Sequence, residues 1–185
     1  MMIQNYSAFP NITLESASLE FMNNLITALQ RIESRNTGRD LLKEINELCG
    51  PSTGKTIKIV AIASDYSTTP NTCASVGNAT DALKKWIFKG PGTSVEVTWN
   101  PYSSLALDAQ GIPTGMSYED SSTSFIGLAH ELVHAYRILR GTYLGGSNIK
   151  EETRATGIGD SASKKFSENS IRAEHSLPRR NAYSR

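Results

Sequence analysis

Apolar residues recur three or four positions apart in two early stretches of the chain. Residues 15–34 carry such a series, which predicts an amphipathic helix with one buried face. Residues 36–38 interrupt it, and residues 39–48 repeat the pattern as a second helix, which Gly50 and Pro51 end. The apolar positions are Leu19, Met22, Ile26, Leu29 and Ile32 in the first helix, and Leu41, Leu42, Ile45 and Leu48 in the second.

Two later stretches have the pattern of strands. Residues 57–63 are rich in isoleucine and predict a strand, while residues 64–80 and 102–120 predict irregular loops. Residues 94–100 alternate between apolar and polar side chains, as a half-buried strand does. Its apolar face consists of Val95, Val97 and Trp99. We expect this strand to be a sheet edge to which an extended substrate can add.

The longest helical pattern covers residues 124–140, which contain no proline and end before Gly141. Its many apolar side chains predict a largely buried helix. A further helix begins near residue 150 and is kept short by Gly157 and Gly159. Three residues before the long helix offer side-chain oxygens for its N-terminal cap: Ser121, Ser122 and Thr123.

The long helix contains the sequence His130-Glu131-Leu-Val-His134. Two histidines four positions apart project from one face of a helix and can share one Zn²⁺ at about 2.0–2.1 Å per Zn–N bond. Glu131 points about a quarter turn away. It is therefore placed to act as a general base on a water at the metal rather than as a ligand. The pattern predicts a hydrolytic zinc site.

A catalytic zinc site needs a third protein ligand and an open position. Glu151 and Glu152 are the leading candidates, and because they are adjacent on a helix they point about 100° apart. Only one of them can face the metal easily. Weaker candidates are Asp160, Glu168 and His175.

These elements predict an α+β fold, in which helices surround a small sheet and the two helices with candidate ligands form the floor of a cleft. The 185 residues, 38% of them hydrophobic, suit one domain over residues 1–185, with flexible ends expected at residues 1–12 and 176–185.

The net charge, the N-terminal sequence and the cysteine spacing exclude several classes of function for the chain. A formal net charge of +1 argues against general attraction to nucleic acid or to membranes. The N-terminus has neither the basic start nor the apolar core of a signal peptide, and no 18-residue apolar run is present. Cys49 and Cys73 have no metal-binding or disulfide spacing, so we expect free thiols.

The combination of motifs resembles the NleD-like zinc endopeptidases, which are small effectors of Gram-negative pathogens. The resemblance starts from His130-Glu-Leu-Val-His134-Ala-Tyr-Arg and Glu151-Glu152-Thr-Arg154-Ala-Thr-Gly. It extends to the first strand with its preceding helix, to Val97-x-Trp-Asn-Pro and to the tail from residue 168 to 183, and so covers most of the chain. The His-Glu-x-x-His motif itself is shared with many zincins, which implies a zincin-like fold.

The same stretches are similar to the light chains of clostridial neurotoxins, in which the second Glu of the pair binds zinc. This similarity implies that Glu152 is the third ligand to one Zn²⁺ per chain and that Glu151 supports a histidine or an arginine. The toxins also use an Arg-x-x-Tyr pair near the scissile carbonyl. Arg180 and Tyr183 have that spacing and are implied as catalytic residues beside Glu131.

The NleD-like resemblance also implies a substrate and a route by which the chain enters the host cell. The substrate would be a host stress-activated MAP kinase (JNK-type or related), cut in the activation loop beside its Thr-x-Tyr site. The chain would act as a monomer in the host cell cytoplasm after type III secretion.

Two other hypotheses remain open: a zinc endopeptidase of unrelated specificity, and a non-catalytic binding module in which zinc is a scaffold. The carboxylate of Glu131 argues against the binding module, since a structural site does not need it.

Overall fold

A mixed sheet of five strands forms one layer of the fold in the computed structural model, which describes residues 1–62, 69–85, 87–118, 121–145 and 149–183. Its strands are β1 (Met2–Tyr6), β2 (Phe9–Ser16), β3 (Ile57–Ala61), β4 (Thr72–Ser75) and β5 (Val95–Trp99). Their order across the sheet is β1-β2-β3-β5-β4. The three central strands are parallel, and the two outer strands are antiparallel to their neighbours.

Helices pack against this sheet, and a two-stranded hairpin lies beside them. The helices of the described ranges are α1 (Leu19–Glu33), α2 (Asn36–Leu48), α3 (Ala79–Ala82), α4 (Ser124–Leu139), α5 (Ile149–Thr156) and α6 (Glu168–Glu174). The hairpin consists of β6 (Ser104–Leu107) and β7 (Pro113–Ser117). This architecture confirms the predicted α+β class. None of the helices in the described ranges has the length and apolarity needed to span a membrane.

The long helix α4 is central to the packing, as its apolar composition predicts. It contacts α1, α2, α6, β4, β5 and β6, and nearly all of its side chains are buried. The indole Nε1 of Trp99, at the end of β5, donates to the carbonyl oxygen of Ser124 at 3.1 Å. This bond attaches the start of α4 to the carboxyl end of the sheet. The core therefore holds α4 against this end of the sheet.

The ends of α4 agree only partly with the prediction. Gly141 follows the helix with φ +68°, and a Cβ there would lie 2.0 Å from the carbonyl oxygen of Gly90, so glycine is required as the stop. At the other end Thr123 occupies the cap position, but its side chain makes no capping hydrogen bond. The prediction of a side-chain cap there is wrong for Thr123.

The N-terminal region corrects two expectations. Residues 2–16 form β1 and β2, and the hydrogen bonds of β2 to β3 continue to Ser16. The first helix therefore starts at Leu19 rather than at residue 15, and Leu19 itself is exposed. The second helix starts at Asn36, because Gly38 does not break it. A Cβ on Gly38 would lie 2.0 Å from the carbonyl oxygen of Ile32, so this glycine lets α2 approach α1 closely.

Strand β5 is not an edge strand. The alternating burial of Val95, Val97 and Trp99 is confirmed, but β5 pairs with β3 on one side and β4 on the other. Its backbone groups are used within the sheet, so a substrate cannot add to it. The outer strand on this side of the described sheet is β4, which lies in a stretch that was expected to be a loop.

Other predicted loops also contain regular structure. Residues 102–120 include β6 and β7, and the tail contains α6, whose N-terminus has a capping box formed by Ser167 and Ser170. Residues 63–68, which are the last residue of the predicted strand and the start of the expected loop at 64–80, lie outside the described residues. Cys49 and Cys73 are free thiols, as expected.

Candidate active site

Helix α4 presents His130 and His134 on one face, one turn apart. Both side chains are buried, and their rings meet edge to face with centroids 4.8 Å apart. The two Nε2 atoms lie 3.1 Å from each other. They therefore converge on one point, as two ligands of a single ion must.

Helix α5 brings the carboxylate of Glu152 to the same point. Its Oε2 lies 3.2 Å from Nε2 of His130 and 3.4 Å from Nε2 of His134. Three atoms that bind one tetrahedral Zn²⁺ at about 2.0–2.1 Å lie about 3.3–3.4 Å from one another. The triangle of two imidazole nitrogens and one carboxylate oxygen thus fits a zinc ion in size and in chemistry. Among the described residues, these three side chains form the group that could hold a metal.

The charges of this cluster also suit a cation. Burial lowers the pKa of His130, but hydrogen bonds with Glu152 and Glu168 outweigh burial and raise that pKa to about 10. Burial raises the pKa of Glu152, but hydrogen bonds with His130 and His134 outweigh burial and lower that pKa well below its usual value. The cluster therefore holds positive charge strongly. A divalent cation bound by the two histidines and Glu152 would supply that charge.

Glu151, the neighbour of Glu152, points away from the cluster and joins α5 to α4. It is fully buried, and it accepts from Nε and Nη2 of Arg137 at 2.6 and 2.8 Å and from the backbone N–H of Leu144 at 2.9 Å. Its Oε1 lies 3.4 Å from Nδ1 of His134, which has no well-aligned hydrogen bond. Burial raises the pKa of Glu151, but its interactions with His134 and Arg137 outweigh burial and lower that pKa. Glu151 is placed as a support for both His134 and Arg137.

Glu168 occupies the equivalent position behind His130. Its Oε2 lies 3.0 Å from Nδ1 of His130, which is the ring nitrogen that faces away from the cluster. Arg172 donates to Oε1 at 2.7 Å and Arg180 donates to Oε2 at 2.8 Å. Burial raises the pKa of Glu168, but His130 and the two arginines lower it to about 2. A charged carboxylate at this position fixes the orientation of the imidazole ring.

The role of Glu168 behind a histidine was missed by the sequence reasoning, which considered it only as a weaker third ligand. A local signal exists, because Glu168 and Arg172 are four residues apart on α6 and pair there. Neither of the other weak candidates belongs to the cluster. Asp160 is exposed in a short 3-10 turn, and His175 packs against the ring of Phe125 with centroids 4.9 Å apart.

A cleft of about 200 Å³ opens beside His130 of the cluster. Its floor includes His130 and Glu131. Burial raises the pKa of Glu131, while the two histidines lower it. A carboxylate that is more basic than usual and faces a cleft beside a metal site can act as a general base. The apolar part of the wall consists of Leu105, Met116 and Ile126.

The tail brings Arg180 and Tyr183 to this cleft. Arg180 is buried and donates to Glu168, to the carbonyl oxygen of Ala182 at 3.0 Å and to that of Tyr183 at 2.6 Å. Its guanidinium carbon lies 5.1 Å from the ring centroid of Tyr183. Tyr183 is 37% exposed, and burial, followed by the charge of Glu152, raises the pKa of its hydroxyl. The hydroxyl therefore stays protonated and can donate.

Comparisons with known proteins place the chain in a family. A search of curated proteins gives no match. The model of the M91 peptidase family, described as effector protein, matches residues 11–183, which is nearly the whole chain. On this match, the chain belongs to the M91 family of effector peptidases, as its NleD-like motifs predict.

Proposed function

We propose that the chain is a zinc-dependent endopeptidase in which His130, His134 and Glu152 hold one Zn²⁺. The observation that carries this proposal is the triangle of Nε2, Nε2 and Oε2 atoms with sides of 3.1, 3.2 and 3.4 Å. Membership in a peptidase family supports the same conclusion. We also propose that the fold is zincin-like, that the chain forms one domain and that it acts as a monomer.

The chemistry divides between the ion and the side chains of the cleft. Zinc, when bound, lowers the pKa of water and polarises a carbonyl group. Glu131 takes the proton from the attacking water and later delivers it to the leaving amine. Tyr183 donates a hydrogen bond to the oxygen that becomes negative as the carbonyl carbon turns tetrahedral. Arg180 is a second and weaker donor to that oxygen, since Glu168 and two backbone carbonyls already accept from it.

Strand β4 offers a place for the substrate backbone. It is the outer strand on this side of the described sheet, and it contacts α4. Pro70 and Asn71, which precede it, line the cleft. An extended peptide that pairs with β4 would therefore run past His130 and Glu131. This replaces β5 as the expected site of strand addition.

Tyr183→Phe tests the role of the hydroxyl group. We expect kcat to fall by about 10²–10³-fold, because one donor to the developing oxyanion is lost. The zinc content and the unfolding midpoint should be unchanged, since Tyr183 is partly exposed and its ring is retained. The measurement is steady-state cleavage with zinc content determined on the same samples. A variant with wild-type kcat would exclude Tyr183 as a donor.

The substrate proposed from the NleD-like resemblance is a host stress-activated MAP kinase of the JNK type or a related class. The chain is proposed to reach the host cytoplasm by type III secretion, and its family membership as an effector supports a host protein as the target. Incubation of a panel of purified MAP kinases with the zinc-loaded chain should give one cut beside the Thr-x-Tyr site, and the same panel with Glu131→Gln should give none. Intact kinases in the presence of zinc-loaded chain would contradict the kinase assignment.

A further inference from the structure

A second, larger groove lies on the side of α5 away from the cleft, and we name it the basic groove. Its volume is about 960 Å³, and eight cationic side chains line it against the two carboxylates Glu44 and Asp160. The net charge of the whole chain is only +1, so this is a strong local concentration of positive charge. The cationic residues that matter most here are Lys84, Lys89, Arg154 and Lys164.

Four of these eight cations have no carboxylate partner among the described residues. Of the eight, Arg137 pairs with Glu151, and Lys165 pairs with Asp40 at 2.9 Å. Within the described residues, no ion pair with a carboxylate is formed by Arg154 or by the exposed Lys84, Lys89 and Lys164. Their charge is therefore directed toward a molecule outside the chain.

Arg154 is the part of the basic groove that most requires an anion. It is half-buried, and its Nη1 donates to the carbonyl oxygen of Phe166 at 2.9 Å. A guanidinium in partly desolvated surroundings is stabilised when a carboxylate binds to it.

The groove also has an apolar rim. Ile87, Leu144 and Ile149 line it with exposed fractions of 77%, 37% and 58%. Large apolar side chains gathered on the surface beside polar groups are typical of protein interaction sites. A partner that matches this surface has acidic side chains for the cations and apolar side chains for the rim.

Helix α5 lies between the basic groove and the candidate metal cluster. Glu152 faces the histidines of α4, whereas Lys150, Thr153 and Arg154 line the groove. Arg140 in the groove directly follows α4 and is six residues from His134, which is about 9 Å along the helix axis at 1.5 Å per residue. One bound protein can therefore occupy both places.

We propose that the basic groove is an exosite for an acidic segment with apolar side chains, carried by the same protein that the chain cleaves. This proposal rests on the proposed endopeptidase function. The groove would contribute affinity and choice of substrate through charge complementarity, away from the scissile bond. Short peptides that lack the acidic segment would be cleaved without its help.

The test is a binding measurement that does not depend on cleavage. The probe is a fluorescein-labelled synthetic peptide of alternating Glu and Leu residues, titrated by fluorescence anisotropy with the Glu131→Gln chain. A peptide with Gln in place of Glu is the probe control. The groove variant carries the charge reversals Lys84→Glu and Lys164→Glu together. The control variant carries Arg35→Glu and Arg39→Glu, which change the net charge by the same amount at exposed positions outside the groove.

We expect the acidic peptide to bind and the Gln peptide not to bind. The groove variant should bind about tenfold more weakly, the control variant should bind like the parent chain, and added salt should weaken binding. Equal affinity in the two charge-reversal variants, or no binding of the acidic peptide, would overturn the exosite. Groove-dependent binding to phosphatidylserine vesicles but not to the peptide would also overturn it, in favour of a membrane surface. The assay needs no bond cleavage. If the chain passes this test but cuts no protein, the groove stands as a binding site for an acidic segment and the peptidase function is refuted.

Discussion

Glu131→Gln is expected to lower kcat/KM for peptide-bond cleavage by about 10²–10⁴-fold, the usual contribution of a general base. The amide of Gln has nearly the shape of the carboxylate but cannot accept the proton of the attacking water. Glu131 lines the cleft, and it is not one of the three side chains whose atoms converge on the metal position. The variant should therefore keep its zinc.

The comparison that isolates this effect is Glu47→Gln. Glu47 is an exposed carboxylate on α2, and its partner is Lys43 at 3.9 Å. Its loss should leave cleavage and zinc content unchanged. Measurement of kcat/KM and of zinc content on the parent chain and on both variants tests whether Glu131 acts as the general base. Cleavage at the parent rate by Glu131→Gln would refute the proposed mechanism.

Glu152→Gln and Glu151→Gln are expected to fail in different ways, although the two residues are adjacent. Glu152→Gln removes one of the three ligand atoms, so zinc affinity should fall by more than the roughly 10–100-fold that the loss of a supporting residue costs. Zinc affinity is measured by competition with a chelator. The metal-free variant should fold, because the side chain of Glu152 is partly exposed, at 15%.

Glu151→Gln is expected to act mainly on stability. Its carboxylate is fully buried and holds Arg137 with two hydrogen bonds, so its loss leaves a buried guanidinium without a counter-ion. Such a loss costs about 3–5 kcal/mol in the free energy of unfolding. Urea unfolding of the metal-free variants measures this cost. A larger loss of zinc affinity in Glu151→Gln than in Glu152→Gln would reverse the assignment of the third ligand.

The parts of the fold that the sequence predicts well are those with strong local patterns. Helix α4 combines a long apolar run with a glycine stop, and β5 alternates strictly, so both are predicted within a residue or two. The position of β5 inside the sheet is not predictable in the same way. It depends on β3, about forty residues earlier, and on the short, partly exposed β4.

Weakly apolar segments account for most of the missed elements. Strand β7 contains proline and glycine, and β1 has only one fully buried side chain, Tyr6, so neither stands out by composition. These strands are held by pairing with β6 and β2. In the site, Glu152 could be selected over Glu151 only by resemblance, because the direction of each carboxylate depends on how α5 docks against α4.

The support that Glu168 gives to His130 illustrates the same limit. The two residues are 38 positions apart, and their contact depends on how α6 and the tail fold back on α4. Two arginines, Arg172 and Arg180, compensate the buried charge of Glu168. The spacing of Arg180 and Tyr183 suggests a catalytic pair, but the role of Arg180 in holding Glu168 becomes visible only in three dimensions.

The central claim is that α4 and α5 together form a zinc site, and native mass spectrometry of the purified chain with added zinc tests it most directly. We predict one Zn²⁺ per chain, and loss of that ion in His134→Ala, because one corner of the triangle is then missing. No zinc on the parent chain, or equal zinc on the parent chain and on His134→Ala, would contradict the account.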